Sequence, residues 1–107
     1  MAIELKKINQ FINEDEKCIE GYFFPKDMIA CCLLGQIQQS KGVSGDLCEV
    51  GVYKGKSLVL LSLLKDEQEL LIGYDLFDDN LLEKTKSNLE KYGTIQGVEL
   101  ILSLIHI

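Results

Sequence analysis

Positively charged side chains are scarce in this chain, which contains no arginine. Its 11 lysines are outnumbered by 17 acidic residues among 107 residues, and the formal net charge is −6 at pH 7. Binding to the phosphate backbone of a nucleic acid needs clustered lysine and arginine. We therefore expect no nucleic-acid partner.

Long apolar runs are also missing. No stretch reaches the roughly 20 apolar residues that a helix needs to cross a bilayer. The first residues, MAIELKK, form neither the uninterrupted apolar segment nor the small-residue cleavage site of a secretory signal. We therefore expect no membrane partner and a cytoplasmic location.

Cysteine motifs and histidine ligands are absent as well. Cys18, Cys31, Cys32 and Cys48 show no C-x-x-C spacing, and the one histidine lies at position 106. We interpret the four cysteines as small, buried apolar residues and predict no metal site and no disulfide framework.

Apolar residues, in contrast, are frequent enough to form a core. The chain is 47% hydrophobic and 26% charged, which is typical of a folded globular domain and not of a disordered chain. It has no internal repeats, low-complexity tracts or interdomain linkers. A length of 107 residues corresponds to one domain at most.

Hydrophobic periodicity predicts helices and strands that alternate after two initial helices. The predicted helices cover residues 2–13, 25–40, 57–64 and 80–92. The first predicted strand follows Gly45 and ends at Val50, and the other two cover 70–74 and 98–101. The order α-α-β-α-β-α-β is typical of an α/β fold with a parallel, Rossmann-like sheet and right-handed crossovers.

Local signals set the expected boundaries of two helices. Pro25 is predicted to begin the second helix and Gly42 to follow its end. The apolar face of that helix is predicted to contain Met28, Ile29, Cys32, Leu33 and Ile37. The run from Asp78 to Asn80, including Asp79, is predicted to cap the fourth helix, and Gly93 to end it.

The segment GDLCEVGVYKGKS, residues 45–57, predicts a strand, a turn and a crossover helix. Gly51 and Gly55 lie on the predicted turn. A backbone without Cβ there bends tightly and lets a ligand approach the positive end of the following helix.

Three kinds of site use such a turn. The dinucleotide motif G-x-G-x-x-G fails because Tyr53 occupies the position of the second glycine. The phosphate-binding P-loop keeps its end, Gly55-Lys56-Ser57, but Val50 occupies the position of its first glycine. The third pattern, acid-x-Gly-x-x-x-Gly, is present as Glu49, Gly51 and Gly55.

A second carboxylate follows the next predicted strand. Asp75 ends the segment LLIGYD and lies 75 − 51 = 24 residues after Gly51. This is close to the spacing of the acid that binds ribose hydroxyls in a Rossmann-type unit. The spacing therefore predicts that Asp75 accepts hydrogen bonds from a ribose.

Together, GYFFP (21–25), GDLCEVGVYKGKS (45–57) and YDLFD (74–78) resemble the macrocin O-methyltransferase (TylF)-like branch of the class I S-adenosylmethionine-dependent methyltransferases. The resemblance covers about residues 21–101. It departs from the commoner E-x-G-x-G-x-G loop, whose third glycine is missing here.

The resemblance implies S-adenosylmethionine as the cofactor. It puts Glu49, Gly51 and Ser57 around the methionine end and Asp75 on the ribose, with Phe77 near the adenine or ribose. Tyr53 and Gly55, on the same loop, complete the expected cofactor-binding residues.

The implied reaction is methyl transfer to the hydroxyl of a small-molecule acceptor. The catalytic residues are unknown. Relatives of this type are expected to use Mg²⁺ held by carboxylates further along the chain, which this sequence lacks. Two alternatives stay open, namely a nucleotide-phosphate-binding protein that uses Gly55-Lys56-Ser57 and a non-enzymatic Rossmann-like module.

The last six residues, LSLIHI, resemble the translation of a transposase mosaic-end adapter from sequencing libraries. We therefore expect three parts: an N-terminal helix and connector (1–20), the N-terminal part of a methyltransferase domain (21–101) and an adapter-derived artefact (102–107).

The sheet implied by the resemblance has seven strands ordered 3-2-1-4-5-7-6. Truncation after the third strand would leave the first strand at an edge and one sheet face without helices. We expect residues 1–107 expressed alone to bind no cofactor measurably, and a soluble monomer with micromolar affinity for S-adenosylmethionine would contradict this.

Overall fold

The computed structural model describes residues 2–78 and 80–102. Its elements are α1 (Ala2–Asn13), a 3₁₀ helix (Asp15–Cys18), α2 (Pro25–Ser40), β1 (Leu47–Val50), α3 (Lys56–Leu64), β2 (Leu71–Asp75), α4 (Leu81–Tyr92) and β3 (Val98–Leu102). The predicted order of helices and strands is confirmed, and the 3₁₀ helix occupies part of the expected connector. Residues 103–107 of the suspected adapter lie outside the described residues, whereas Leu102 ends β3.

The three strands form one parallel sheet in the order β1-β2-β3. Leu47 pairs with Leu71, and Leu71 in turn pairs with Val98. Parallel neighbours require crossover connections, which α3 and α4 provide. The expected mixed α/β fold with β1 at a sheet edge is therefore confirmed, as a shape compatible with a truncated Rossmann-like fold.

The core is built around α3. Leu58, Val59 and Leu60 are fully buried in this helix, which contacts α1, α2, α4 and β2. Phe11 of α1 and Leu89 of α4 are also fully buried in the same cluster. Because α3 is enclosed by these elements, the position of the turn that precedes it is set by core packing.

The two faces of the sheet differ in how they are covered. Leu71 and Gly73 are buried on the face toward α3, whereas Cys48 is exposed and Val50 is 78% exposed on the other face. The described residues therefore leave this second face largely open, as expected for a sheet with helices on one side.

The apolar face of α2 is only partly packed. Met28 is fully buried, but Ile29, Leu33 and Ile37 are each about half exposed. The expectation of one buried face is therefore only partly correct. The helix contacts α1 and α3 on the side where Met28 lies. Ile29, Leu33 and Ile37 form an outer stripe, with successive residues about one turn apart, and nothing among the described residues covers it.

The cysteine prediction was also only partly correct. All four thiols are free, with Cys31 and Cys32 partly buried and Cys18 and Cys48 exposed. Cys48 is exposed because alternate residues of an edge strand point to the open face of the sheet. Cys18 ends the 3₁₀ helix at the surface.

The predicted helix boundaries hold better than the predicted capping. Pro25 begins α2, and Gly42 follows its end with φ 71°. Gly93 is the residue that ends α4, as predicted. Asn80 precedes α4 but makes no capping hydrogen bond through its side chain, contrary to the prediction, and Asp79 lies outside the described residues.

Two glycines provide a matched test of this packing. A Cβ added at Gly35 in α2 would have no neighbour within 4 Å, whereas one at Gly73 would lie 3.0 Å from Val52 and 3.2 Å from Leu100. We expect Gly35→Ala to raise the free energy of unfolding by about 0.5–1 kcal/mol, because alanine restricts the unfolded chain and favours a helix. Gly73→Ala should lower it by about 1–3 kcal/mol through overpacking.

Urea denaturation of both variants and the unchanged chain measures these differences. Destabilisation by Gly35→Ala would contradict the open space beside α2. A Gly73→Ala variant as stable as the unchanged chain would contradict the close packing of β2 against Val52.

Candidate functional site

A five-residue turn, 51–55, connects β1 to α3. Its backbone is left-handed at Gly51 (φ 86°), Tyr53 (φ 56°) and Gly55 (φ 88°). Glycine adopts such angles without the steric cost that a Cβ brings, whereas tyrosine does not. The two glycines found in the sequence therefore lie where the turn has a left-handed backbone. Tyr53 adopts the same kind of backbone at a steric cost, which contacts with its neighbours have to offset.

Asp75 supplies much of that support from the end of β2. Its Oδ2 accepts a hydrogen bond from the backbone N–H of Tyr53 (2.8 Å), and its Oδ1 accepts one from the N–H of Phe77 (3.0 Å). Within the described residues, Tyr53 and Phe77 are the two non-glycine residues with positive φ. The carboxylate of Asp75 thus holds both of the non-glycine residues whose backbone is left-handed.

These hydrogen bonds also determine the charge of Asp75. Partial burial, the largest single influence, raises the pKa of this carboxyl, but hydrogen bonds from the backbone amides of Tyr53, Phe77, Val52 and Leu76 together outweigh it. The net pKa is below the usual value for aspartate. Asp75 is therefore a negatively charged acceptor at neutral pH.

Residues far away in sequence complete the clamp around the turn. The Thr85 hydroxyl donates to the carbonyl of Tyr53 (3.0 Å), and the Asn88 side chain donates to the carbonyl of Lys54 (2.9 Å). Both donors belong to α4. The turn is therefore fixed by α4 as well as by β2.

Glu20 holds the other side of the same turn. Its carboxylate accepts a hydrogen bond from the Tyr53 hydroxyl (3.1 Å) and pairs with the Lys54 ammonium (2.7 Å). Hydrogen bonds from Lys54 and Tyr53 lower the pKa of Glu20. The three polar groups of Tyr53, its N–H, C=O and hydroxyl, are therefore all bonded.

Glu49 is the second carboxylate of the site. One of its oxygens accepts a hydrogen bond from the Ser57 hydroxyl in the first turn of α3. The other, Oε1, is buried and has no hydrogen-bond partner in the described part of the chain. A buried polar atom without a partner is uncommon and marks a place where a ligand donor would be stabilising.

Burial is the largest influence on the Glu49 carboxyl and raises its pKa. The hydrogen bond from Ser57 opposes this increase, and the negative charge of Asp75 adds to it. The site therefore contains two neighbouring carboxyls whose pKa values are shifted in opposite directions.

Most of the predicted site residues lie together, at the carboxyl ends of β1 and β2. They are Glu49, Gly51, Tyr53, Gly55, Ser57 and Asp75. Phe77 is next to them in the chain, but its side chain is only 6% exposed and belongs to the hydrophobic core. Its backbone N–H reaches Asp75, so its ring is poorly placed to stack on a ligand.

Lys56 lies apart from these residues. Its ammonium forms a buried ion pair with Glu16 (2.9 Å) and lies 3.5 Å from the carbonyl oxygen of Gly21. Contacts with the 3₁₀ helix and with the loop that follows it therefore hold the Lys56 side chain.

Three residues that hold the turn were missed by sequence reasoning, namely Glu20, Thr85 and Asn88, and so was Glu16, which pairs with Lys56 outside the site. They lie 32 to 40 positions from the residues that they contact. Their types are common on protein surfaces, although Thr85 lies four residues from both Leu81 and Leu89 on the buried face of α4. Nothing in the sequence by itself connects them to the turn.

No family model matches the chain, and no curated protein matches it.

Within residues 2–78 and 80–102, no three or more histidine, cysteine, aspartate or glutamate side chains are grouped to hold a metal ion. None of the helices in the same ranges is both long and apolar enough to cross a membrane.

Replacing Glu49 by glutamine tests its raised pKa. Because the pKa is raised in the folded state, the contribution of Glu49 to stability is fully present below the pKa of unfolded glutamate, about 4.3, and is lost as the pH rises through the folded-state value. Glutamine keeps an oxygen for Ser57 and carries no charge. We expect Glu49→Gln to be more stable than the unchanged chain at pH 7 and similar to it at pH 4.

Urea denaturation at both pH values measures this difference. The same stability change at the two pH values would contradict a raised pKa of Glu49.

Replacing Asp75 by asparagine tests the double backbone contact. The amide has one acceptor oxygen and directs an N–H group toward Tyr53 or Phe77. We expect Asp75→Asn to lower the free energy of unfolding by about 1–3 kcal/mol at pH 7. The difference in free energy of unfolding between Asp75→Asn and the unchanged chain should become smaller in acid. The reason is that the stability contributed by Asp75 is lost as the pH falls through its lowered folded-state pKa.

Asp78→Asn is the matched control, since Asp78 is exposed and its backbone carbonyl, not its carboxylate, accepts the hydrogen bond from Leu81 (3.1 Å). Equal effects of the two substitutions would show that the Asp75 carboxylate does not support the turn.

Proposed function

We propose that this chain is the cofactor-binding part of a class I methyltransferase, which transfers a methyl group from S-adenosylmethionine to the hydroxyl of a small molecule in the cytoplasm. The observation that carries the proposal is the meeting of Glu49, Gly51 and Asp75 at the carboxyl ends of two neighbouring parallel strands. Ligands of open α/β sheets bind at that edge.

Asp75 is suited to hold the ribose. Each of its oxygens accepts one backbone N–H, and a carboxylate oxygen has room for a second hydrogen bond. Its lowered pKa keeps the group an acceptor. The two oxygens can therefore each receive one of two vicinal hydroxyl groups without giving up the turn.

Glu49 and Gly51 are suited to bind the methionine end of S-adenosylmethionine. Glu49 Oε1 is a buried acceptor without a partner in the described residues, and an ammonium group would satisfy it. A Cβ added at Gly51 would meet no atom within 4 Å, so a ligand has room to approach the backbone there. These two features support S-adenosylmethionine, whose methionine part carries an ammonium.

When bound, the cofactor would supply a methyl group that is activated by its sulfonium. The residues described here bind and orient the donor, and this alignment with an acceptor is the main requirement of such a displacement. A base for the acceptor proton and carboxylates for Mg²⁺ are expected from other parts of a longer protein. The catalytic residues therefore stay unassigned.

The position of Lys56 weighs against the phosphate-binding alternative. A P-loop lysine has to reach the phosphates in front of the turn. Lys56 is 8% exposed and paired with Glu16, so releasing it would leave a buried carboxylate without its partner, which is costly. The geometry therefore favours a ligand that is bound without a phosphate.

The test begins with the reading frame. Adapter-free long-read sequencing across codon 101 shows the natural frame, and the protein it encodes is then titrated with S-adenosylmethionine by calorimetry. We expect Asp75→Ala to weaken binding by about tenfold or more, in line with the loss of charge-assisted hydrogen bonds. The double variant Glu16→Gln/Lys56→Met, which removes both members of the ion pair, should leave the affinity nearly unchanged.

A nucleoside pair separates a ribose contact from an indirect effect on the turn. The unchanged protein should bind adenosine more tightly than 2′,3′-dideoxyadenosine, and Asp75→Ala should lose this preference. A preference that persists in Asp75→Ala would refute the ribose role.

The other possible results assign the alternatives. ATP binding that depends on Lys56, measured as protection of its amine from chemical modification, would support the nucleotide-phosphate reading. A frame that continues without an acceptor pocket or base would support a non-enzymatic module. A frame that ends at residue 107 would remove the enzymatic proposal.

A further inference from the structure

A cavity lies at the opposite end of β1 from the candidate cofactor site. Its volume is about 370 Å³, and it is bounded by α1, α2, α3 and the segment that leads into β1. Ile8, Leu34, Leu47, Leu61 and Leu64 contribute its apolar walls. No residue of the candidate cofactor site lines the cavity, although Cys31 in its wall is close enough to Glu49 for that charge to contribute to the raised pKa of the thiol.

The cavity results from a gap between α2 and the helices beneath it. Gly35 lines the gap in the middle of α2, and a Cβ there would have no neighbour within 4 Å. The adjacent Leu34 is 61% exposed and Val43 is 57% exposed. The cavity is therefore open to solvent on one side, and its volume and apolar walls are those of sites for small molecules.

The mouth of the cavity carries a negative charge. Asp46, Asp66 and Glu69 lie along it, with Lys65 as the one cation among the lining residues. The Lys65 ammonium donates to the backbone carbonyl of Asp66 (3.3 Å).

Backbone amides hold two of these carboxylates in place. Asp46 accepts from the N–H of Leu70 (2.9 Å), and Glu69 accepts from the N–H groups of Gly45 (2.9 Å) and Asp66 (2.8 Å). Their charges therefore stay at the mouth, where they repel anions and attract cations.

We propose that this cavity binds a small apolar molecule that carries a positively charged amine. The apolar part would occupy the space beside Gly35, and the amine would remain at the acidic mouth near Asp46 and Glu69. The apolar walls would contact the apolar part of the ligand, and the negative charge at the mouth would favour a positively charged polar end.

The cysteines of the chain offer a reporter for this site. Cys31 and Cys32 line the cavity, and burial raises the pKa of both thiols, so they are neutral, apolar parts of its surface. Cys18 and Cys48 are exposed and do not line it. Cys48 lies on the open face of the sheet, so it reports binding to that surface.

The experiment measures the rate at which N-ethylmaleimide modifies each cysteine-containing peptide of the full chain, by mass spectrometry. Octylammonium and octanoate, which have the same chain length and opposite charge, are compared below their micelle concentrations. We expect octylammonium to slow the modification of Cys31 and Cys32 severalfold and to leave Cys18 and Cys48 unchanged. Octanoate should have a much smaller effect.

Filling the cavity provides the matched control. Gly35→Leu places a side chain in the gap and should abolish protection by octylammonium, whereas Gly35→Ala, which adds one methyl group, should retain most of it. A cooperative urea unfolding transition, followed by circular dichroism, shows whether each variant is folded.

Several results would overturn the proposal. They are equal slowing at Cys48, undiminished protection in a folded Gly35→Leu variant, and equal protection by octanoate and octylammonium. The comparison of the two ligands needs no variant, so a failure of Gly35→Leu to fold does not prevent the test.

Discussion

Burial of α3 is the interaction on which the other parts of the structure depend. Leu58, Val59 and Leu60 are inaccessible to solvent, and this one helix contacts three other helices and the central strand. Loss of one such leucine side chain costs about 2–5 kcal/mol in a typical core. Because packing on these sides fixes the position of the helix, it also fixes the turn before it and the carboxylates beside it.

Within that arrangement, two neighbouring carboxyls have opposite properties for physical reasons. Asp75 is held as an anion by backbone N–H groups, whereas the partly buried Glu49 has a raised pKa because of its burial and, to a smaller extent, the charge of Asp75. Pairs of acids with divergent pKa values are typical of functional sites. The left-handed conformation of Tyr53, supported through all of its polar groups, indicates that the turn is held rigidly although its backbone is strained.

The two ends of β1 differ in character. At the carboxyl end, charges and hydrogen bonds define a polar site next to Gly51. At the amino end, a gap beside Gly35 leaves an apolar cavity. The outward side of the same strand is open, with Val50 largely exposed, and exposed apolar surface of this kind favours association.

Local sequence patterns were sufficient to predict the order of the elements, the parallel sheet and the glycine turn followed by an acid at the end of the next strand. These features depend on local periodicity and on backbone angles that few residues tolerate, as Gly51 and Gly55 illustrate. Spacing also located Asp75, because successive parallel strands end at the same edge.

Which side chains meet and which are buried depended instead on the packing of elements that are distant in sequence. This packing paired Lys56 with Glu16, placed the ring of Phe77 in the core and left Cys48 and the outer stripe of α2 exposed. A residue's burial and its partners depend on segments that are 30 or more positions away, as the contact between Thr85 and Tyr53 shows. Local sequence patterns carry no information about such distant neighbours.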